Sequence, residues 1–281
     1  MGQGGITIGI VAPAARIEPA TAESVTALAA RLFPQQPPTL RFHPQCFLSA
    51  GHFAGSDDAR AAALIEMASD PAIDAIWFAR GGYGSCRIAE RALPQFDANA
   101  RAKTYLGYSD TGTLLGGLYR AGFARLAHGP MPSDIRRENG AAAVTRALQF
   151  LVAGSSAALE PSVTSDAATA AFNITILSHL IGTPLEPDLA GHVLLLEEVS
   201  EAMYRIDRSL CHITAAPGLR RVAGIRLGRC NSITPNTPDF GQDEETVTRH
   251  WCDIAGIPYL GRADIGHDAD NKVVPFGTWR P

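Results

Sequence analysis

The chain has 281 residues, of which 46% are hydrophobic, and a formal net charge of -4 at pH 7. It is long enough to bury one large core or two smaller ones, and its acidic balance offers no basic face, so we expect no nucleic-acid partner. Its five cysteines are scattered and lack C-x-x-C spacing, which predicts reduced thiols and neither a disulfide framework nor a zinc cluster.

The first residues do not resemble a targeting segment. The apolar run from Gly5 to Val11 has the length of a strand, no basic region precedes it, and Glu18 soon interrupts the pattern. Other apolar runs are far shorter than a bilayer crossing requires. We therefore expect a cytoplasmic protein with no membrane partner.

The first half of the chain alternates strand-length apolar runs with amphipathic segments. The predicted strands cover residues 6–12, 40–46, 75–79, 104–108 and 125–127. The predicted helices cover residues 20–33, 57–69, 87–92, 111–121 and 141–152. Repeated strand–helix–strand units imply a parallel sheet with helices on both faces.

Small and polar residues follow the last of these helices. Residues 154–169 form the predicted linker, and a second domain is expected over residues 170–281. Its predicted elements are strands at 193–199 and 221–227, helices at 204–213 and 244–254, and a short strand before His267. The sequence thus predicts an α/β protein. Its N-terminal domain, residues 1–153, has a flavodoxin- or Rossmann-like parallel sheet, and its C-terminal α/β domain is smaller and β-rich.

Ser109 is the strongest catalytic candidate. It stands in Gly107-Tyr-Ser-Asp110, where a predicted strand meets a predicted helix, and a sharp turn at such a place exposes a serine hydroxyl. The backbone N–H of Asp110 would then be available to a developing oxyanion. The usual G-x-S-x-G pattern has glycine where this chain has Thr111, and a helix cap explains the same residues, so the motif alone does not decide.

A serine nucleophile needs a base, and the base needs an orienting acid. The apolar run that starts at Val193 ends in Glu197 and Glu198, and a buried carboxylate at a strand end requires a partner. His267 follows a short predicted strand, on a loop rich in Gly, Asp and Asn. Taken alone, Glu197 is better explained as a strand-end acid near the surface and His267 as a loop histidine, but with Ser109 they complete the order Ser, Glu, His.

A second glycine-rich turn, Arg80-Gly-Gly-Tyr-Gly84, follows the strand predicted at 75–79, and we call it the glycine loop. Sites in open parallel sheets form beyond the carboxyl ends of strands, where both this loop and Ser109 lie. The loop lacks the spacing of nucleotide-binding motifs, so no nucleotide cofactor is expected. The acidic residues near His267 match no calcium-loop spacing, and no metal is expected.

Together these segments resemble the serine LD-carboxypeptidases, a family that includes the muramoyltetrapeptide carboxypeptidases and the microcin C immunity peptidases. The resemblance spans nearly the whole chain. Its motifs, in order, are Ile8-Gly-Ile-Val-Ala-Pro13, Phe53-Ala-Gly-Ser-Asp57 with Arg60, the glycine loop, Gly107-Tyr-Ser-Asp110, His128-Gly-Pro130, Gly182-Thr-Pro184, Leu196-Glu197, Tyr204-Arg-Ile-Asp-Arg208 and Gly266-His267.

The resemblance implies that Ser109 is the nucleophile, His267 the general base and Glu197 the residue that orients His267. It places the oxyanion hole at the backbone N–H groups of Asp110 and Gly82. Because Ser109 falls in the first predicted domain and the other two members of the triad in the second, the site is expected in the interdomain cleft.

This chain departs from the family pattern at several positions. Ala14 follows Pro13 where the family has serine, and the usual Gly-Asn is Phe172-Asn173. The family's acidic pair Glu-Asp is Glu197-Glu198 here. Successive strand residues point to opposite faces, so only one of these carboxylates can serve, and we expect Glu197 because it matches the family position.

The resemblance also implies a substrate and an assembly. It predicts a homodimeric serine peptidase of peptidoglycan recycling that cuts the murein tetrapeptide between meso-diaminopimelate or L-Lys and the terminal D-Ala. Arg80, Arg205 and Arg208 are candidates for binding the substrate, and His128 is interpreted as a structural corner. The alternatives are a microcin C immunity-type peptidase that cleaves a peptidyl-nucleotide amide, an α/β-hydrolase-like esterase, and a two-lobed binding module without turnover.

Overall fold

The computed structural model describes residues 5–280, so the outer ends of the two predicted domains, residues 1–4 and 281, lie outside the described residues. The first half of the chain alternates strands and helices as predicted. Its strands are Thr7–Val11 (β1), Thr39–Phe42 (β2), Ala75–Phe78 (β3), Thr104–Gly107 (β4) and Leu126–His128 (β5). Its helices are Pro19–Leu32 (α1), Asp57–Ser69 (α2), Cys86–Ala92 (α3), Ala98–Ala102 (α4), Gly112–Arg120 (α5) and Gly140–Ala153 (α6).

The second half, as far as residue 280, contributes six strands and three α-helices. The strands are Ala168–Asn173 (β6), Val193–Val199 (β7), Gly224–Asn231 (β8), Tyr259–Arg262 (β9), Val274–Pro275 (β10) and Gly277–Thr278 (β11). The helices are Ile174–Leu180 (α7), Met203–Ala215 (α8) and Glu244–Ala255 (α9). No helix within residues 5–280 is long and apolar enough to cross a membrane.

Two sheets organise these elements. The first has the order β10-β5-β4-β3-β1-β2, with β1 to β5 parallel and β10 antiparallel to β5. The second has the order β11-β6-β7-β8-β9, with β6 to β9 parallel and β11 antiparallel to β6. The predicted α/β fold with a parallel N-terminal sheet is confirmed, and its order β2-β1-β3-β4-β5 is that of flavodoxin-like proteins.

One apolar core joins the two halves of the chain. It includes Leu115 of α5, Phe172 of β6 and Leu196 of β7, all fully buried. Phe276 lies between β10 and β11, and its ring centroid is 5.2 Å from that of Phe172. Because β10 belongs to the first sheet and β11 to the second, residues 274–278 cross from one sheet to the other.

Some elements differ from the prediction. The strand expected over residues 40–46 ends at Phe42, because Pro44 has no N–H to donate to a ladder and begins a 3₁₀ turn. No strand is predicted where β6 lies, and because β6 begins at Ala168, the last two residues of the predicted linker belong to it. The strand expected from 221 begins at Gly224, and α4, α7, β10 and β11 are absent from the prediction. The division into domains at residues 154–169 stays a prediction.

Candidate active site

Ser109 lies on a tight turn between β4 and α5. Its φ is +59°, in the left-handed region, and the residue is partly exposed. A Cβ on Gly107 would lie 2.5 Å from Thr111 Oγ1, and a Cβ on Gly81 would lie 2.9 Å from Ser109 Oγ, so both positions require glycine. The strained turn thus places the hydroxyl directly against the glycine loop, as a nucleophile elbow does.

His267 and Glu197 make a buried contact. His267 Nδ1 lies 2.5 Å from Glu197 Oε2, and Glu197 is fully buried. A carboxylate only accepts hydrogen bonds, so Nδ1 donates and Nε2 is left to accept a proton. Glu198 instead accepts from the Asn173 amide and from the N–H and hydroxyl of Thr175. The structure therefore brings Glu197, and not Glu198, onto His267.

Glu197 keeps His267 basic despite its burial. Burial alone would lower the pKa of His267, but the charge and the hydrogen bond of Glu197 outweigh it, and the pKa lies above the ordinary value of 6.5. Within residues 5–280, His267 Nε2 and Glu197 Oε1 are buried without a hydrogen-bond partner. An unpartnered imidazole nitrogen with a raised pKa is suited to take a proton from a hydroxyl.

Ser109 and His267 line the same cavity of about 270 Å³, which we call the serine cavity. The lining also includes Gly81 and Gly82 of the glycine loop, and Tyr108. Because His267 Nε2 has no partner in the described part of the chain, the Ser109 hydroxyl does not donate to it in this state. Contacts of this kind commonly tighten when substrate binds.

The carboxylate of Asp110 connects the serine turn to the glycine loop. Its oxygens accept from the backbone N–H groups of Gly84 at 3.3 Å and of Ser85 at 2.9 Å. The fully buried Arg60 donates to the Gly84 carbonyl oxygen at 2.8 Å. Both polar groups of Gly84 are therefore held in place. The sequence indicated only the backbone of Asp110, since nothing in the motif shows which loop its side chain contacts.

A second network reaches His267 from the first sheet. The Tyr108 hydroxyl and Arg137 Nε both donate to Asp134 Oδ1 at 2.8 Å. Arg137 Nη1 donates to the His267 carbonyl oxygen at 2.7 Å, and the rings of Tyr108 and His267 have centroids 4.7 Å apart. These contacts hold the loop of His267 against the serine turn. The sequence analysis missed them because residues 137 and 267 are 130 positions apart.

The three candidate substrate-binding arginines lie in different places. Arg80 lines the serine cavity, and its Nη1 donates to the Arg16 carbonyl oxygen at 3.2 Å. Arg205 and Arg208 lie on α8 and line a separate cavity of about 360 Å³. The structure does not bring these two arginines to Ser109, and their substrate role stays a prediction.

Asp264 and Asp268, which are near His267 in the chain, form ion pairs with Arg229, and the buried His128 is neutral. Arg229 Nη1 donates to Asp264 at 2.6 Å, and Arg229 Nε and Nη2 donate to Asp268 at 2.5 and 2.8 Å. Between residues 5 and 280, no group of three or more His, Cys, Asp or Glu side chains is placed to hold a metal ion. Burial lowers the pKa of His128 to about 4, so its imidazole is neutral at physiological pH.

Comparison with known families matches both halves of the chain. Residues 8–129 match the LD-carboxypeptidase N-terminal domain, and residues 168–280 match the LD-carboxypeptidase C-terminal domain. These two matches contain Ser109 in the first and Glu197 and His267 in the second. The predicted resemblance is therefore confirmed at the level of both domains.

Curated relatives carry related descriptions. A putative carboxypeptidase of Synechocystis sp. is 32% identical over 81% of this chain and 76% of its own length. A probable murein peptide carboxypeptidase of Bacillus subtilis is 28% identical over 98% of this chain and 88% of its own. The murein tetrapeptide carboxypeptidase of Pseudomonas aeruginosa is 26% identical over 80% of this chain and 78% of its own.

Solved structures show the same fold. Muramoyltetrapeptide carboxypeptidase from Oxalobacter formigenes has a TM-score of 0.77 at 23% identity and covers 96% of this chain and 93% of its own. The microcin C7 self-immunity protein MccF has a TM-score of 0.78 at 18% identity and covers 97% of this chain and 91% of its own. With both family domains matched in order along the chain, this protein belongs to the LD-carboxypeptidase family.

Proposed function

We propose that the protein is a serine LD-carboxypeptidase that releases the terminal D-alanine of a murein tetrapeptide. The observation that carries this proposal is the buried Glu197–His267 pair, whose histidine lines the serine cavity together with Ser109. Relatives described as murein peptide carboxypeptidases support the substrate class. The bond cut would join the L-centre of meso-diaminopimelate or L-Lys to D-alanine.

The proposed chemistry has two steps. His267 Nε2 takes the Ser109 proton as the hydroxyl oxygen attacks the scissile carbonyl carbon, and Glu197 stabilises the imidazolium that forms. The C–N bond then breaks, and His267 returns the proton to the amine of the leaving D-alanine. In the second step His267 activates a water, which hydrolyses the acyl-enzyme and frees Ser109.

Each tetrahedral anion needs hydrogen-bond donors. We assign this role to the backbone N–H groups of Asp110, which follows Ser109 in the chain, and of Gly82, which lines the serine cavity together with Ser109. Gly82 has a φ of +115°, a conformation that L side chains rarely adopt, and this lets the loop pass close to the serine turn. Loss of one such donor in a comparable site costs about 3–4 kcal/mol of transition-state stabilisation.

The reaction is tested with L-Ala-γ-D-Glu-meso-diaminopimelate-D-Ala and mass spectrometry. The wild-type protein is expected to remove one D-alanine, leave an all-L tetrapeptide intact, and lose the activity in His267→Ala. A folded wild-type protein that binds the tetrapeptide without cleaving it would support a binding module and contradict the proposal.

Cleavage of a peptidyl-nucleotide amide is the second candidate, since MccF has the same fold. That reaction favours an aromatic side chain that stacks on the base. Trp77 is fully buried, Trp251 Nε1 donates to Asp207, and Trp279 packs on Phe150. The serine cavity has no tryptophan in its lining, and the aromatic residue that does line it, Tyr108, is only 1% exposed and offers no free face for stacking. We therefore favour the murein peptide, and the family match leads us to set the esterase hypothesis aside.

We also propose a cytoplasmic homodimer that acts in peptidoglycan recycling. All five cysteines are free, which suits a reducing compartment. The dimer rests on the family resemblance and is checked by light scattering of the purified protein.

Activity should fall as pH drops through the pKa of His267. The base must be neutral to accept the Ser109 proton, and Glu197 raises the pKa of His267 above 6.5. The acid limb of kcat/KM is therefore expected to have its midpoint above that value. His128, with a pKa of about 4, does not contribute there. A kcat/KM profile across about pH 5 to 9 measures the midpoint, and one below about pH 6 would contradict the role of Glu197.

Replacing Asp110 with alanine should lower kcat about 10- to 100-fold with little change in KM, because the glycine loop loses its anchor while the backbone donor remains. Steady-state release of D-alanine measures both constants. Asp253→Ala is the matched control, since Asp253 is an exposed acidic residue near the end of α9 and contacts neither the glycine loop nor Arg60. Equal kcat values in the Asp110 variant and the wild type would show that the loop needs no such anchor.

A further inference from the structure

A second cavity of about 410 Å³ adjoins the serine cavity, and we call it the arginine cavity. The two cavities share Arg80, Ser133, Asp134 and Arg137 in their linings. The arginine cavity alone is also lined by Ile17, Glu18, Thr21 and Arg136. A single substrate bound at Ser109 would therefore be able to extend into the arginine cavity.

The carboxylates that line the arginine cavity do not neutralise the positive charge of Arg80 and Arg136. Within residues 5–280, neither Arg80 nor Arg136 forms an ion pair with a carboxylate. Of the two acids in the lining, Glu18 pairs with Arg16 at 3.2 Å. The other, Asp134, accepts from Arg137 and two further donors and is 3% exposed. Two guanidinium groups therefore remain available to an incoming anion.

The start of α1 forms part of the same wall. Its N-cap residue, Glu18, makes no side-chain capping bond, so the positive end of a 14-residue helix is left uncapped by a side chain. Thr21, in the first turn, is 2% exposed, and its Oγ1 has no hydrogen-bond partner in the described part of the chain. A buried hydroxyl without a partner is costly unless a ligand or water satisfies it.

We infer that the arginine cavity is a carboxylate subsite of the peptide substrate, held chiefly by Arg136 and Arg80 with Thr21 in its wall. This inference rests on the proposed function, because it assigns a substrate group to the space next to Ser109. A murein tetrapeptide carries carboxylates at its C-terminal D-alanine, at D-glutamate and at the D-centre of diaminopimelate. The planar guanidinium groups match a carboxylate with two parallel hydrogen bonds.

The test compares Arg136→Gln with the wild type on four peptides. They are the free-acid tetrapeptide and three derivatives, each with one carboxylate converted to an amide. Arg136→Gln is expected to raise KM for the free acid about tenfold with kcat nearly unchanged, the effect of losing one charge-assisted hydrogen bond. For the derivative that lacks the bound carboxylate, the two proteins should have equal KM values, which identifies the carboxylate.

Arg31→Gln is the matched control, because Arg31 lies in the last turn of α1 and does not line the cavity. It removes the same charge and is expected to leave KM unchanged. Equal KM values for Arg136→Gln and the wild type on the free acid would overturn the inference. A KM increase that persists with all three amides would also overturn it.

Failure of the proposed function gives a different result. A wild-type protein that releases D-alanine from none of the peptides refutes that function. Calorimetric binding of the free acid to Ser109→Ala, compared with Ser109→Ala/Arg136→Gln, then decides on the cavity: about tenfold weaker binding in the double variant supports the subsite, and equal binding overturns it.

Discussion

Replacing Ser109 with alanine is expected to lower kcat for D-alanine release about 10⁶-fold, the loss that follows removal of the nucleophile from a serine triad. Without the hydroxyl, no acyl-enzyme can form, and the remaining donors give only weak catalysis by water. Alanine adopts a φ of +59° at about the same cost as serine, so the fold should be retained. Steady-state kinetics and thermal unfolding measure the two effects separately.

Ser209→Ala is the control for this variant. Ser209 is also partly exposed, but it lies on α8 in the cavity that contains Arg205. We expect it to keep the wild-type kcat. If Ser109→Ala retained more than about a hundredth of the wild-type kcat, Ser109 could not be the nucleophile.

Glu197→Gln is expected to lower kcat about 10³- to 10⁴-fold, as loss of the orienting acid does in related triads. The amide that replaces the Glu197 carboxylate can donate to Nδ1 and so favour the tautomer of His267 that has its proton on Nε2. It also lacks the negative charge that stabilises the imidazolium. Because burial alone lowers the pKa of His267, the acid limb of the residual activity should move to lower pH. A pH profile of the variant measures both changes.

Glu198→Gln separates this role from a general effect of buried acids. Glu198 accepts from Asn173 and Thr175 at the start of α7, and burial raises its pKa. We expect this variant to lose about 1–3 kcal/mol of stability, with kcat within about tenfold of the wild type. The opposite pattern, a large loss of kcat in Glu198→Gln and little in Glu197→Gln, would exchange their roles.

The sequence predicted what local patterns determine. The alternation of apolar runs with amphipathic segments predicted the parallel N-terminal sheet, and Gly107-Tyr-Ser-Asp110 predicted the turn between β4 and α5. Strand alternation was enough to separate Glu197 from Glu198 once one of them had a family position. The contact between Glu197 and His267 agrees with that expectation.

Long-range contacts could not be predicted in this way. The bonds from Asp110 to the glycine loop and from Arg137 to the His267 carbonyl join residues 25 to 130 positions apart, and no motif encodes such pairs. The sequence could select arginines only by their charge, so it grouped Arg205 and Arg208 with Arg80. In the structure Arg80 lines the serine cavity, whereas Arg205 and Arg208 line a separate cavity. The sequence did not indicate a role for Arg136, because that role depends on the arginine cavity, whose lining combines residues that are far apart in the chain.

One measurement tests the central claim most directly. A murein tetrapeptide and a peptidyl-nucleotide conjugate are incubated together with the wild-type protein, and both are followed by mass spectrometry. We predict that the tetrapeptide loses D-alanine while the conjugate stays largely intact, and that Ser109→Ala leaves both unchanged. Cleavage of the conjugate beside an intact tetrapeptide, or loss of D-alanine that survives in Ser109→Ala, would contradict a serine LD-carboxypeptidase acting through Ser109.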